Sequence, residues 1–185
     1  MMMITTFETL ELDYLRQTAI LDAWKEISRW FNWSETLLEK YQDKLDWNEV
    51  SDNREIQWTI PMLEKFKDRI NWDVLSRNPD KYMLTEAFIE TFRDKWNWSK
   101  LSDCYYLKIT YELLDKFADK WDWAMIIDRY HHSPVYEGKG MDFYLKYKKY
   151  ISAEKLKGSR LWDEIVEQQK QQLIGEITGL QNFST

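Results

Sequence analysis

The chain has 185 residues, of which 11 are Trp, 11 Tyr and 8 Phe but only 5 Gly and 3 Pro, and its net charge is −6. That aromatic content excludes a disordered chain, which lacks the apolar area to offset backbone ordering, and the scarcity of Gly and Pro argues against a β-sandwich with many turns. A single Cys excludes a disulfide framework and a thiolate zinc site.

The N-terminal segment indicates the cellular compartment. Met1 to Thr6 leads into acidic, helix-like sequence, and the chain has no run of 18 apolar residues, so we expect neither a signal peptide nor a membrane span. A cytoplasmic protein without a membrane partner is the prediction. Its length predicts a single domain over residues 1–180.

Tryptophan spacing reveals an internal repeat. Trp47, Trp72, Trp98 and Trp123 lie 25, 26 and 25 residues apart, and the segments that end on them superimpose. Clear repeats cover residues 33–130. Residues 8–32 are a degenerate N-terminal unit, because Trp24–Ser28 mirrors Trp47–Ser51. A fixed period of this length is typical of stacked repeat proteins.

The sequence of each clear unit predicts a helix followed by a shorter second helix. The predicted N-caps are the hydroxyl residues Ser34, Thr59, Thr85 and Thr110. Apolar residues then recur at helical spacing over about eleven residues, as for Phe88 and Phe92 in the third unit. The spacing of Trp72 and Leu75 predicts one or two further helical turns after each repeat Trp.

Residues 135–180 form a divergent C-terminal unit and a capping helix. The residues Phe143, Tyr147, Ile151 and Leu156 fall where Phe88, Phe92, Trp96 and Leu101 stand in the third repeat. A final helix is predicted from Leu161, with Leu161, Ile165, Leu173 and Ile177 along one side and glutamines along the other.

These elements predict an all-α protein, a short helical-repeat solenoid of units of about 25 residues with degenerate capping ends. One such unit cannot bury its own apolar stripe, whereas stacked neighbours can. The terminal units of a solenoid need polar outer faces, so the two divergent ends are expected to supply them.

The unit Trp-(Asp/Asn)-Trp-x-x-Leu-Ser, preceded by a Glu-Lys-Phe-x-Asp-Lys helix, resembles the Trp-rich repeats of uncharacterised proteins from Bacteroidetes and large DNA viruses. The segment Trp72–Pro79 is the closest single match, and the resemblance covers about residues 24–130. It implies a helical repeat and carries over no catalytic residue. Two repeats depart from this pattern, because Leu84 and Ile109 occupy the position that Trp33 and Trp58 hold in the other two. The sequence beyond Arg129 also departs from it.

A carboxylate recurs near the end of each first helix, at Asp43, Asp68, Asp94 and Asp119. Because an Asp there opposes the helix dipole, something must offset its cost. We expect each to accept a hydrogen bond from a backbone amide or a Trp indole and so to join unit to unit. The alternative is a row of carboxylates that binds a ligand.

The tryptophans also admit two interpretations, packing or ligand stacking. Trp47, Trp72, Trp98 and Trp123 stand at repeat-defining apolar positions, which favours packing. Trp30 and Trp162 lie outside the repeat frame and are the better candidates for exposure.

A basic, aromatic segment spans residues 139–160 and includes Lys146, Lys148 and Lys149. Its cations and rings together are the mixture that nucleic-acid surfaces use. The alternative is a solvated helix face, and the acidic charge of the whole protein opposes encounter with nucleic acid.

Other reactive residues are sparse. His131 and His132 are adjacent and lack the HExxH spacing of a zinc site, and Cys104 takes the place of Asn53 and Asn78 without a nearby His. We therefore expect no enzyme activity, no cofactor and no metal. An enzyme that uses Cys104 or the two histidines is the least favoured alternative.

The expected function is a non-catalytic scaffold that presents a solenoid surface to a protein partner. Positions that vary between units on the exposed helix face would line this surface, namely Gln42, Lys67, Arg93 and Ala118. The alternatives are a nucleic-acid-binding accessory protein that uses residues 139–160 and a viral or phage-type host-interaction protein.

Overall fold

The structure is a computed structural model that describes residues 2–77, 79, 83–129 and 134–181. Twelve α-helices account for the regular structure of these residues, in agreement with the all-α prediction. They are α1 (Met2–Trp30), α2 (Glu35–Tyr41), α3 (Trp47–Asp52), α4 (Ile60–Phe66), α5 (Trp72–Arg77), α6 (Glu86–Thr91), α7 (Trp98–Ser102), α8 (Tyr111–Lys116), α9 (Trp123–Asp128), α10 (Gly140–Tyr147), α11 (Ala153–Leu156) and α12 (Arg160–Gln181).

The chain divides into two compact units, residues 1–96 and residues 97–185. The first contains α1 to α6 and the second α7 to α12. Each is described by itself below. The single domain over residues 1–180 and the solenoid stay predictions.

The first helix of each clear repeat begins at its predicted cap. The side-chain oxygens of Ser34, Thr59, Thr85 and Thr110 each accept a hydrogen bond from the backbone amide three residues later. These helices have six or seven residues, fewer than the eleven predicted. After the helix the backbone forms turns with i→i+3 hydrogen bonds, such as that from Arg69 N to Phe66 O at 2.9 Å. The helical spacing of apolar residues continues through these turns to Ile70, which is why the sequence predicts a longer helix.

The second helix of each clear repeat begins at the repeat Trp and has five or six residues, as predicted. The residue before the Trp starts it. Asp46 accepts hydrogen bonds from the amides of Asn48 and Glu49, and Asp122 does the same for Ala124 and Met125. This explains the recurrent Asp or Asn at that position, since short polar side chains are preferred helix caps.

Successive second helices pack side by side within each unit. In the first unit α3 contacts both α1 and α5, and in the second α9 contacts α7, α11 and α12. The side chains between them are fully buried aliphatic residues, such as Val50 in the first unit and Leu101 in the second. The cores are therefore built by neighbouring repeats, as expected for units too small to enclose an apolar core alone.

The N-terminal unit is one helix, where the repeat frame predicts a short helix and a second element. Helix α1 runs without a break from Met2 to Trp30, and only its last turns carry the repeat pattern. There Ser28 is buried and its hydroxyl donates to the carbonyl oxygen of Trp24 at 2.6 Å. The degenerate copy thus survives at Trp24–Ser28, while the rest of α1 extends away from the core.

The divergent C-terminal unit keeps the packing of the third repeat. Phe143, Tyr147, Ile151 and Leu156 are all buried, as their alignment predicts. Helix α12 begins at Arg160, one residue before the predicted start, and packs on α10 and α9. Its predicted apolar side divides in two, because Leu161 and Ile165 are buried whereas Leu173 and Ile177 are exposed.

Close packing of α10 on α12 yields a matched pair of glycine predictions. A Cβ at Gly140 would lie 3.0 Å from Glu164 Cγ and 3.2 Å from Ile165 N, whereas a Cβ at Gly175 would meet nothing within 4 Å. We expect Gly140→Ala to lower the free energy of unfolding by about 1–2 kcal/mol through overpacking. Gly175→Ala should raise it by about 0.5–1 kcal/mol. Thermal unfolding followed by circular dichroism checks both, and shifts of the same sign would contradict the assigned contact.

Candidate functional site

The repeat tryptophans connect each repeat to the next by aromatic packing. Within the first unit, the Trp47 ring lies 5.3 Å from that of Phe66 and the Trp72 ring 5.2 Å from that of Phe92. Within the second, Trp98 lies 5.2 Å from Phe117. In each pair the partner belongs to the following repeat and lies at the end of its first helix or one residue beyond it. Trp72 and Trp98 also pack edge to face on Trp96 and Trp121. This agrees with the packing interpretation, since such aromatic pairs stabilise beyond their buried area.

Each repeat indole also caps the helix before it. Trp47 Nε1 donates to the carbonyl oxygen of Gln42 at 2.8 Å, Trp72 Nε1 to that of Lys67 at 2.9 Å, and Trp123 Nε1 to that of Ala118 at 2.8 Å. Carbonyls at a helix end lack intrahelical partners, and the indole satisfies one of them. Three of the positions expected to line a binding surface are therefore engaged through their backbones. Gln42, Lys67 and Ala118 are half-buried, whereas Arg93 is exposed.

The recurring aspartates join repeats, but with other donors than those expected. Asp43 accepts from Arg69 Nη2 at 2.8 Å and Asp68 from Lys95 Nζ at 3.4 Å, each cation lying on the following repeat. The expected backbone amide or indole donors are wrong for these two residues. All four positions, Asp43, Asp68, Asp94 and Asp119, are exposed, so their contacts are made in solvent.

We expect Asp68→Asn to change the free energy of unfolding by less than about 1 kcal/mol, because exposed ion pairs are weakened by solvent and salt. Asp68 is 81% exposed. Chemical denaturation at low and high salt measures this effect, which should shrink as salt rises. A loss that is large and independent of salt would contradict the solvent-exposed pairing.

A buried serine four residues after each repeat Trp was not identified as a connecting residue, although it recurs in the sequence. Ser28, Ser51, Ser76 and Ser102 are all buried. Ser51 Oγ donates to Trp47 O at 2.6 Å and accepts from Asn71 N, in the next repeat, at 2.9 Å. Ser28 and Ser102 make the equivalent pairs of bonds. At Trp123 the pattern stops, because Ile127 occupies the serine position.

A second buried polar position lies six residues after the repeat Trp. Asn53 Nδ2 donates to the carbonyl oxygens of Ser28 and Phe31, which lie 25 and 22 residues earlier. Arg129 reaches the carbonyls of Cys104 and Leu107 at the same two offsets, and also that of Ser102 at 2.9 Å. The equivalent Asn78 lies outside the described residues. The recurrence of Asn at positions 53 and 78 is the feature of the sequence from which this buried polar position could be predicted.

Arg129 borders a cleft in the second unit. This cleft has a volume of about 590 Å³ and is lined by residues 106–112 with Ile126, Arg129, Pro134 and Val135. Burial lowers the pKa of the Arg129 guanidinium from its usual value, and the field of Cys104 and Asp103 acts in the opposite direction. Tyr105 and Tyr106, beside the cleft, are exposed and their rings meet edge to face at 5.2 Å.

Within the basic segment 139–160, the cations are exposed whereas two of the four rings are buried. Lys148 and Lys149 are exposed, whereas Phe143 and Tyr147 are buried. Lys146 is bound by Asp115 at 2.8 Å, which raises the pKa of Lys146 and lowers that of Asp115. Burial, with the Asp115 hydrogen bond, raises the pKa of Tyr147 to about 12. The buried rings of Phe143 and Tyr147 cannot stack on bases, while Tyr144 and Tyr150 are half-buried and Tyr150 is stacked on Trp123.

The two terminal helices expose apolar side chains, contrary to the polar outer faces expected of capping units. On α1 these are Leu10, Leu12, Tyr14, Leu15, Ile20 and Leu21. On α12 they are Val166, Leu173, Ile174 and Ile177. Outside the repeat frame, Trp30 is 60% exposed, as predicted, while Trp162 is half-buried.

The remaining reactive residues singled out by the sequence are Cys104, His131 and His132. Cys104 is buried, and burial raises the pKa of its thiol, so the reactive thiolate is disfavoured. His131 and His132 lie outside the described residues. Among residues 2–77, 79, 83–129 and 134–181, no group of three His, Cys, Asp or Glu side chains is placed to hold a metal ion.

The same residues include no helix that is both long and apolar enough to span a membrane. Comparison with known proteins places this chain in no group. It matches no family model, no curated protein and no solved structure.

Proposed function

We propose that this chain is a non-catalytic scaffold, a short solenoid of helical repeats that presents its surface to a protein partner. The observation that supports this proposal best is the exposed apolar surface of α1, where Leu10, Leu15 and Leu21 are each more than half exposed. Terminal elements of repeat proteins ordinarily carry polar outer faces. Among the exposed apolar side chains of α1, Leu10, Tyr14 and Leu21 share one face of the helix, and exposed apolar patches mark interaction surfaces in soluble proteins.

The difference between recurrent and non-recurrent residues supports the same function. Contacts between neighbouring repeats are made by recurrent side chains, namely Trp47, Trp72, Trp98, Ser28, Ser51, Ser102, Asp43 and Asp68. Recurrent residues are thus committed to architecture, and the non-recurrent ones remain for recognition. We infer that α1 supplies the main contact and that exposed positions such as Arg93 adjust specificity.

Two charges placed on α1 test this function. Leu15→Asp with Leu21→Asp should leave the fold intact, because both side chains are exposed. Partner binding should fall at least about tenfold, because burying a carboxylate in an apolar interface is costly. The matched control is Gln17→Asp, an equally exposed polar position on the same helix.

A photo-reactive residue at the exposed position 14, which every variant can carry, identifies the partner in its native cell, and light scattering of the purified adduct gives its mass. A heavier adduct that disappears in the doubly charged variant is expected. An adduct yield or a partner affinity that the two charges leave unchanged would overturn the proposal.

Nucleic-acid binding through residues 139–160 is the second candidate, favoured by the exposed lysines Lys148, Lys149, Lys155 and Lys157. We expect any retention on heparin or DNA to weaken steeply with salt and to be lost when Lys148 and Lys149 become Gln. Lys146→Gln is the comparison, because Asp115 already neutralises that charge. Retention that these changes leave unaltered would remove this candidate.

A further inference from the structure

The buried charge of Arg129 exceeds what the repeat architecture requires. At the equivalent position of the first unit the neutral amide of Asn53 binds the carbonyls at the same two offsets. An amide is therefore sufficient to hold the preceding loop. A guanidinium adds a permanent positive charge at a position that is only 7% exposed, and burial of a charge is costly unless a counter-charge accompanies it.

The described part of the chain provides no such counter-charge in contact with Arg129. Its partners there are three neutral carbonyl oxygens, while Asp103 is exposed and acts on it only through its field. Arg129 thus contributes an uncompensated positive charge to the wall of the cleft.

The other walls of the cleft define what accompanies an anion. Tyr106, Tyr111, Pro134 and Ile126 supply rings and aliphatic surface, and Lys108 adds a second cation. Glu112 adds one negative charge, and its pKa is lowered by its own backbone amide and by Thr110. The balance over Arg129, Lys108 and Glu112 is one net positive charge, which suits a singly charged ligand.

We propose that this cleft binds a small organic monoanion, a carboxylate with an aromatic or branched apolar body. Its carboxylate pairs with the Arg129 guanidinium, and its apolar body packs against Tyr106, Tyr111 and Pro134. Because Nη2 binds two carbonyls and Nη1 a third, the carboxylate accepts from the guanidinium hydrogens that remain, on Nε and Nη1, in charge-assisted hydrogen bonds. The site is independent of the apolar surface on α1.

Two probes of the same shape test the proposal, phenylacetate and its neutral amide, phenylacetamide. Each is titrated into the isotopically labelled full-length chain while the backbone amides of residues 106–112 and the Arg129 Nε–H are followed by NMR. We expect phenylacetate to shift these signals with a Kd on the order of 1 mM or below. Phenylacetamide should bind at least about tenfold more weakly, because it lacks the charge that Arg129 complements.

Variants separate charge from shape. Arg129→Gln keeps amide donors and removes the charge, so phenylacetate should bind it no better than phenylacetamide does. Tyr106→Ala removes an exposed wall and should weaken both probes alike, which provides a test that does not depend on how Arg129→Gln folds. Equal affinity of the natural chain for both probes, absence of shifts in the cleft at millimolar phenylacetate, or unchanged phenylacetate binding by Arg129→Gln would overturn the proposal.

Discussion

Replacing Arg129 with Met should lower the free energy of unfolding by about 3 kcal/mol. The substitution leaves the carbonyl oxygens of Ser102, Cys104 and Leu107 without their donor, and hydrogen bonds to a charged group contribute about 1.5–3 kcal/mol each. The sum of three such bonds is an upper bound, because removal of the guanidinium also removes the cost of burying its charge. Urea denaturation followed by Trp fluorescence measures the change.

Arg129→Asn distinguishes the hydrogen bonds from the charge. It copies the residue that serves the same position at Asn53, so it should lose about half as much stability as Arg129→Met. The exposed Arg54 provides the control, and Arg54→Met should change the free energy of unfolding by less than about 0.5 kcal/mol. Equal losses in Arg129→Asn and Arg129→Met would contradict an equivalent role for the two positions.

Ser51→Ala should destabilise the protein by about 2 kcal/mol. Its hydroxyl donates to Trp47 O and accepts from Asn71 N in the next repeat. Trp47 O keeps the helical bond from the Ser51 amide, so the substitution leaves the Asn71 amide without an acceptor. An orphaned buried group costs about 1–3 kcal/mol, whereas the smaller side chain itself removes only one oxygen. Thermal and urea unfolding both measure this effect.

The control for the serine is Ser99→Ala. Ser99 Oγ donates to Asp122 Oδ2 at 2.9 Å, also between repeats, but on the exposed surface. Water replaces that bond when the hydroxyl is removed, so the loss should be no more than about 0.5 kcal/mol. If both variants lose the same stability, burial is not what makes the repeat serine important.

The features that the sequence predicts well are local. A hydroxyl at Thr59 or Thr110 caps a helix whose residues follow it directly, so the chain order contains all the required information. The second helices were located for the same reason, because the Trp and the Asp or Asn before it adjoin each other. Burial of Phe143 and Tyr147 followed from alignment with the repeat, which transfers a known periodicity to a divergent segment.

The incorrect or missing predictions depend on a partner one repeat away. The donor to Asp68 is Lys95, 27 residues later, and side-chain reach across a repeat cannot be read from spacing alone. The function of Asn53 was missed because its acceptors are backbone carbonyls, which carry no residue identity. The expected polar cap was wrong for α1, whose surface is apolar. That expectation came from a general property of solenoids and took no account of Leu10 and Leu21 themselves.

The isoleucine at the serine position of α9 restricts how such a chain could grow. A repeat of about 25 residues inserted before Trp123 would supply a serine hydroxyl and the backbone amide that donates to the serine of the preceding repeat. Both partners of this hydrogen bond would then be present between every pair of neighbouring repeats. After α9 the same repeat would meet the methyl groups of Ile127, which can neither accept nor donate. A chain lengthened by a whole repeat upstream of Ile127 should therefore keep the serine bonds at each new junction, whereas a repeat inserted after it should lack them.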